Sequence, residues 1–165
     1  MSNGDRRDGE ESLWFDWSEK PVTKVLFVCY GNACRSIMAE ALARHFWGSG
    51  MEAGSAGLAP LGYIPSETLE ALSEAGISSN GLYSKGFSDI SLEDIDFIIN
   101  LTEFEVGQYI PPSFSGKLIS CPVRDPFGHG IQSYRQARDK LEWLVREKLP
   151  ELLGATDSGR KERKE

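Results

Sequence analysis

Residues 25–30, VLFVCY, are an unbroken apolar run of β-branched and aromatic side chains, with no polar position alternating between them. A strand of that kind is buried on both faces, so the sheet holding it must be covered on both sides. We take the strand as Lys24 to Tyr30. Six residues on, the period changes. Ser36 to Trp47 carries Met38, Ala41, Leu42 and Phe46 at helical spacing, and Gly48-Ser49-Gly50 ends it. Met51 to Ala56 reads as a short second strand. Ser66 to Ala75 repeats the helical period through Leu69 and Leu72 before Gly76. Ile95 to Leu101 is another buried strand and Lys117 to Cys121 a fourth. Gln132 to Leu153 is a long last helix with Ala137, Leu141, Leu144, Val145 and Leu149 on one face. Strands alternating with helices predict an α/β domain of three layers: a four-stranded, parallel, twisted sheet with helices on both faces. In such sheets ligands sit beyond the carboxyl ends of the strands.

At 165 residues and 18.3 kDa the chain suits one domain. We set it at 21–153, between a polar extension (1–20) and a charged tail (154–165). The extension holds an aromatic cluster, Trp14, Phe15 and Trp17, read as rings lying against the domain or as a docking tag. There are 18 Lys and Arg against 25 Asp and Glu, a formal charge of −7. Nothing in that balance attracts nucleic acid or an anionic membrane, so any bound anion must be held by local donors. No apolar stretch has the length of a signal peptide or a membrane helix. Three cysteines cannot all pair within one chain, which argues against a secreted disulfide framework. The expectation is a cytoplasmic protein with reduced thiols.

At the carboxyl end of the first strand stands Cys29-Tyr30-Gly31-Asn32-Ala33-Cys34-Arg35-Ser36, opening directly into a helix. Gly31 is expected to make the turn there. Successive N–H groups of such a loop can form an anion nest, to which the helix N-terminus adds its positive end. Arg35 supplies a planar fork that matches two phosphate oxygens. Cys29, at the rim of this positive cradle, is favoured as the thiolate. One short loop thus offers a nucleophile and a receptor for a dianion. A thiolate that displaces a phosphomonoester needs an acid for the leaving oxygen. Asp125-Pro126-Phe127 offers one just past the fourth strand, at the same edge of the sheet as Cys29. Burial beside the Phe127 ring is expected to keep the Asp125 carboxyl protonated toward neutral pH.

Cys29-x5-Arg35-Ser36, within VCYGNACRSIMAEAL, resembles the phosphate loop of the low-molecular-weight protein-tyrosine phosphatases, and Asp125-Pro126-Phe127 resembles their general-acid loop. Ser55-Ala56-Gly57, Gly62, Gly76-Ile77, Asp96 and Leu101-Thr102 fall in the family's order, so the likeness runs from about Lys24 to Leu153. It implies a flavodoxin-like fold and roles residue by residue. Cys29 attacks phosphorus and forms a cysteinyl-phosphate. Arg35 and the loop from Tyr30 through Gly31, Asn32, Ala33 and Cys34 to Ser36 hold the phosphoryl oxygens. Asp125 protonates the leaving group. Ser36 donates to the Cys29 thiolate, and Asn32 and Ser55 brace the loop. Tyr30 and Phe127 wall the pocket. Cys34 can trap oxidised Cys29 as a disulfide. No cofactor and no metal is implied. The partner is a phosphorylated protein, with phosphate or sulfate able to occupy the site, and the chain acts as a monomer or weak dimer.

The sequence also departs from the family. Ile37 replaces the usual Pro after the loop Ser, and Ala33 is neither the larger aliphatic of tyrosine-selective members nor the Thr of arginine-selective ones. Asp125-Pro126-Phe127-Gly128 looks more like the bacterial arginine-phosphatase branch. Phosphotyrosine is the first reading and phosphoarginine the alternative. Arsenate reduction is disfavoured, because only Cys121 lies downstream to relay electrons. A non-catalytic phosphate-binding module would need neither nucleophile nor acid. Cys29, Cys34 and Cys121 with His45 or His129 lack the paired spacing of a zinc site. His45 reads as a surface or packing residue and His129 as part of a Gly-His-Gly turn.

Overall fold

The computed structural model describes residues 22–154. Strands β1 (Thr23–Cys29), β2 (Met51–Gly57), β3 (Phe97–Asn100) and β4 (Lys117–Ser120) form one parallel sheet in the order β2-β1-β3-β4. The chain enters at β1, winds outward to β2, then crosses back to β3 and β4. The order therefore reverses beside β1, and the crevice beyond its carboxyl end is the switch point where ligands are expected. Pairing Val28↔Asn100 and Asn100↔Ser120 brings the carboxyl ends of β1, β3 and β4 into one row. The expected α/β class is the observed one.

Consecutive β1 side chains serve opposite faces. Val25, Phe27 and Cys29 join one cluster with Met38, Leu42, Leu72, Leu141 and Val145, while Leu26 and Val28 join a second with Ala56, Phe87 and Ile98. The first cluster lies under the helices α1 (Arg35–Trp47), α2 (Ser66–Glu74) and α3 (Ile131–Trp143). The second face is covered by 3₁₀ turns, Phe87–Asp89 and Gly107–Tyr109, and by the loops around them. The sheet is thus covered on both sides, but unequally. The thin side has no helical period in sequence, so no element was expected there.

The expected ends are close. β1 starts and stops one residue earlier than Lys24–Tyr30, β2 ends at Gly57, β3 is shorter than Ile95–Leu101, and α2 ends one residue before Ala75. Leu69 and Phe46, placed on the apolar faces of their helices by period, are about two-fifths exposed. The last helix, expected over Gln132–Leu153, is interrupted: α3 passes into a π-helical turn, Leu144–Lys148, before helix resumes over 149–154. Pro150 lies in that last stretch. It has no N–H, and its ring opposes the carbonyl four residues back. A wider preceding turn lets the helix continue, with Trp47 Nε1 donating to Val145 O (3.0 Å).

Among the described residues no helix is long and apolar enough to cross a membrane. Trp14, Phe15 and Trp17, the 1–20 extension and the tail beyond Gly154 lie outside the described residues.

Candidate active site

The loop between β1 and α1 is held from outside through its carbonyls. Leu58 N–H donates to Cys29 O (3.1 Å), Ala59 N–H to Tyr30 O (2.8 Å) and Leu61 N–H to Gly31 O (2.8 Å). Ser84 Oγ also donates to Gly31 O (3.2 Å), Thr68 Oγ1 to Ala33 O (2.8 Å), and Met38 N–H to Cys34 O (2.9 Å). In a planar trans peptide the N–H points opposite its C=O. Carbonyls turned outward at 29, 30, 31, 33 and 34 therefore turn the amides of Tyr30, Gly31, Asn32, Cys34 and Arg35 inward, the nest expected from the sequence.

The turn itself differs from expectation. Gly31 has no positive φ, and a Cβ there would meet only ordinary contacts, Leu61 Cβ at 3.8 Å and Ala59 O at 4.0 Å. The left-handed residue is Asn32 (φ 47°), a conformation Asn tolerates better than most residues. The glycine the loop needs is Gly57 on β2, where an added Cβ would meet Asn32 N at 2.7 Å and Gly31 C at 2.9 Å. Its missing side chain lets the loop back onto the strand.

Arg35 is 5% exposed. Its Nη1 donates to Val123 O (3.1 Å) and Leu101 O (3.4 Å), carbonyls just past β4 and β3, so the strand ends fix the guanidinium plane. Nη2 lies 3.5 Å from Asp125 Oδ2. Nε is buried with no hydrogen-bond partner. An orphaned buried donor is costly. Beneath the loop, Cys29 Sγ and Ser36 Oγ are 2.9 Å apart. Asn32 Nδ2 donates to Ser36 Oγ (2.7 Å) and to Ser55 Oγ (3.0 Å).

These parts meet around a cavity of about 200 Å³ lined by Cys29, Tyr30, Gly31, Ala33, Cys34, Arg35, Ala59, Leu61, Asp125 and Phe127. Cys29, Tyr30, Gly31, Ala33, Cys34, Arg35, Asp125 and Phe127 of the expected set converge there, whereas Asn32 and Ser36, also expected to hold phosphoryl oxygens, lie under it with Ser55 and outside its lining. One expectation fails. Asp125 is not buried beside Phe127: its side chain is 53% exposed and Phe127 is 45% exposed. The Phe127 N–H donates to Asp125 Oδ1 (3.1 Å), so backbone and Arg35, not an apolar wall, orient the carboxyl. Cys34 donates to Tyr134 Oη (3.6 Å), and burial pushes its thiol up to about 11. His45 and His129 are both exposed, outside the cavity lining. Among the described residues no three His, Cys, Asp or Glu side chains gather as a metal site. A larger cleft of about 670 Å³, over the thinly covered face, is lined by residues such as Leu92, Tyr109 and Phe114, with no cysteine or cation.

The sequence pattern of the low molecular weight phosphotyrosine protein phosphatases matches residues 24–158. The chain belongs to this family. A protein-arginine-phosphatase of Bacillus subtilis is 33% identical over 144 residues, 78% of this chain and 95% of that protein. A low molecular weight protein-tyrosine-phosphatase of the same organism is 42% identical over 94 residues, 52% of this chain and 60% of that protein. Among solved structures, an arginine phosphatase from Geobacillus stearothermophilus superposes with a TM-score of 0.71 at 28% identity, covering 83% of this chain and 96% of that one. Arsenate reductases also stand among the relatives and structures that match. Family membership makes the chain a phosphatase-type hydrolase.

Several residues of the site were not found by sequence. Thr68, Ser84 and Lys85 reach the loop from segments 35 or more positions away in sequence, with no local signal. Glu40 had one: a carboxylate among Met38, Ala39, Ala41 and Leu42, on the face the helix buries.

Proposed function

We propose that the chain is a cysteine-dependent phosphoprotein phosphatase that acts through a cysteinyl-phosphate. The observation that carries this is one small cavity lined by Cys29, Arg35 and Asp125 together, with Arg35 Nε buried and unpartnered. Cys29 Sγ attacks phosphorus in line with the leaving oxygen. Arg35 and the amides take up the charge on the equatorial oxygens. Asp125 gives its proton to the leaving oxygen and then takes one from the water that hydrolyses the thiophosphate. Neither step calls for a metal or cofactor, and we place the reaction in the cytoplasm on a phosphorylated protein. Cys34 stays a thiol at neutral pH. It lines the same cavity, and would condense with a Cys29 sulfenic acid, releasing water.

Phosphotyrosine is the first reading, because Tyr30, Leu61 and Phe127 offer apolar walls to an aryl ring. Phosphoarginine is the second. The arginine-phosphatase relative matches over 95% of its length, and half-exposed Asp125 faces the cavity where a guanidinium would lie. Against arsenate reduction, Cys121 stands in the row of Cys29 but two strands away, about 10 Å at ordinary sheet spacing. A disulfide does not span that distance. The test compares kcat/KM on phosphotyrosine and phosphoarginine peptides in EDTA, with Cys29→Ser and Asp125→Ala alongside. Cys29→Ser should lose at least about 10⁴-fold in kcat and Asp125→Ala about 10²-fold or more. Activity that survives Cys29→Ser refutes the mechanism. A preference for phosphoarginine overturns only the first substrate reading.

A further inference from the structure

We propose that the buried Glu40–Lys85 pair is a positioning device: it fixes the direction of a hydrogen-bond chain that ends with Ser36 donating to Cys29 Sγ. This rests on Cys29 being the nucleophile. The distance of 2.9 Å between Ser36 Oγ and Cys29 Sγ does not by itself say which atom donates. The rest of the chain does. The backbone N–H of Lys85 can only donate, and it donates to Asn32 Oδ1 (2.8 Å). That orients the Asn32 amide, so Nδ2 faces the two hydroxyls and gives a proton to each, Ser36 Oγ at 2.7 Å and Ser55 Oγ at 3.0 Å. At the far end Ser55 Oγ lies 2.5 Å from Glu40 Oε1. An ionised carboxylate only accepts, so the single Ser55 proton goes to it. Ser36, accepting from Asn32, then has its own proton free for the sulfur, which favours the thiolate.

The Ser55 end of this chain depends on Glu40 being ionised while 2% exposed. A buried carboxylate with no partner takes a proton. Here two cations face it. Lys85 Nζ, on a side chain 9% exposed, lies 3.7 Å from Glu40 Oε1 and 3.3 Å from Ser55 Oγ, and Arg44, one turn along α1, pairs with Glu40 Oε2. Without them a protonated Glu40 could donate to Ser55. Ser55 would then turn its proton toward the Asn32 amide hydrogens and oppose the Nδ2 orientation, which the Lys85 N–H alone would be left to hold. The two cations also offset the repulsion that a lone Glu40 charge would exert on the thiolate. Lys85 acts twice, locking the Asn32 amide through its backbone and holding Glu40 ionised through its ammonium.

The experiment uses the full chain with Glu40→Gln, Lys85→Met and Lys85→Arg. It reads kcat and KM on p-nitrophenyl phosphate and the pH midpoint of Cys29 alkylation by iodoacetate. Glu40→Gln and Lys85→Met should lower kcat about tenfold, the worth of one charge-assisted hydrogen bond. KM should stay within about twofold because the inward amides are untouched. The alkylation midpoint should move to higher pH by about one unit. Lys85→Arg should restore most of both. An unmoved midpoint in Glu40→Gln and Lys85→Met overturns the proposal, even if they melt earlier. Should Glu40→Gln fail to fold, Ser55→Ala removes only the linking hydroxyl and reads the same midpoint. Cys29→Ser separates the two ideas: if it retains activity the nucleophile reading fails, and if it is inactive while the midpoint is unmoved only this inference fails.

Discussion

The bed of the site and its mouth are built differently. Under the loop, Asn32, Ser36, Ser55 and Glu40 are all 2% exposed or less, and each polar atom has a named partner. At the mouth, Tyr30, Phe104 and Phe127 are about half exposed; Tyr30 meets Phe104 at a tilt, with ring centroids 6.1 Å apart. A buried, fully paired network cannot tolerate a change of even one group without leaving an orphan. An exposed aromatic rim tolerates many. A substitution should therefore cost most in the bed and least at the mouth.

The sharpest way to break this contrast is at Arg35. Arg35→Lys keeps the charge but loses the fork that the Leu101 and Val123 carbonyls hold flat. It should lower kcat/KM on p-nitrophenyl phosphate about 10³-fold, a loss on the scale of a missing catalytic arginine. A loss of tenfold or less would mean that the bed is more forgiving than described. At the mouth, Phe127→Ala should raise KM for a phosphotyrosine peptide about fivefold, the worth of one aromatic contact, and change kcat little. If kcat falls as far as KM rises, the mouth shares in the chemistry and the contrast weakens. The smallest effect concerns stability. Burial raises both Cys34, to about 11, and Tyr134 above their ordinary values. Each stays protonated in the folded chain where the unfolded chain would lose its proton. Their contribution is thus complete below about pH 9, the ordinary thiol value, and declines as pH rises toward 11. Urea melts across pH 8 to 11 should show that decline, and Cys34→Ala should flatten it.

The same contrast explains what could be read from the chain alone. The fold was legible because VLFVCY and the period of Ala137, Leu141, Leu144, Val145 and Leu149 are dictated by burial, and all but the half-exposed Tyr30 are buried. The meeting of Cys29 with Arg35 was legible because both sit in one eight-residue loop. Four things were not. The positive φ went to Asn32 instead of Gly31, because the close approach that shapes the loop comes from β2 at Gly57. The exposure of Asp125 was missed, since a dipeptide such as Asp-Pro says nothing of what packs on it. The braces Thr68, Ser84 and Lys85 come from distant segments, and only the fold brings them under the loop. The 3₁₀ turns over the second face carry no period at all.

The most direct test of the account is a rapid acid quench of the Asp125→Ala variant turning over p-nitrophenyl phosphate, followed by mass spectrometry of its peptides. One phosphoryl group on the peptide that bears Cys29, lost on treatment that cleaves thiophosphates, is the predicted result. Turnover with no phosphoryl group on that peptide, or with the group on another residue, would contradict it.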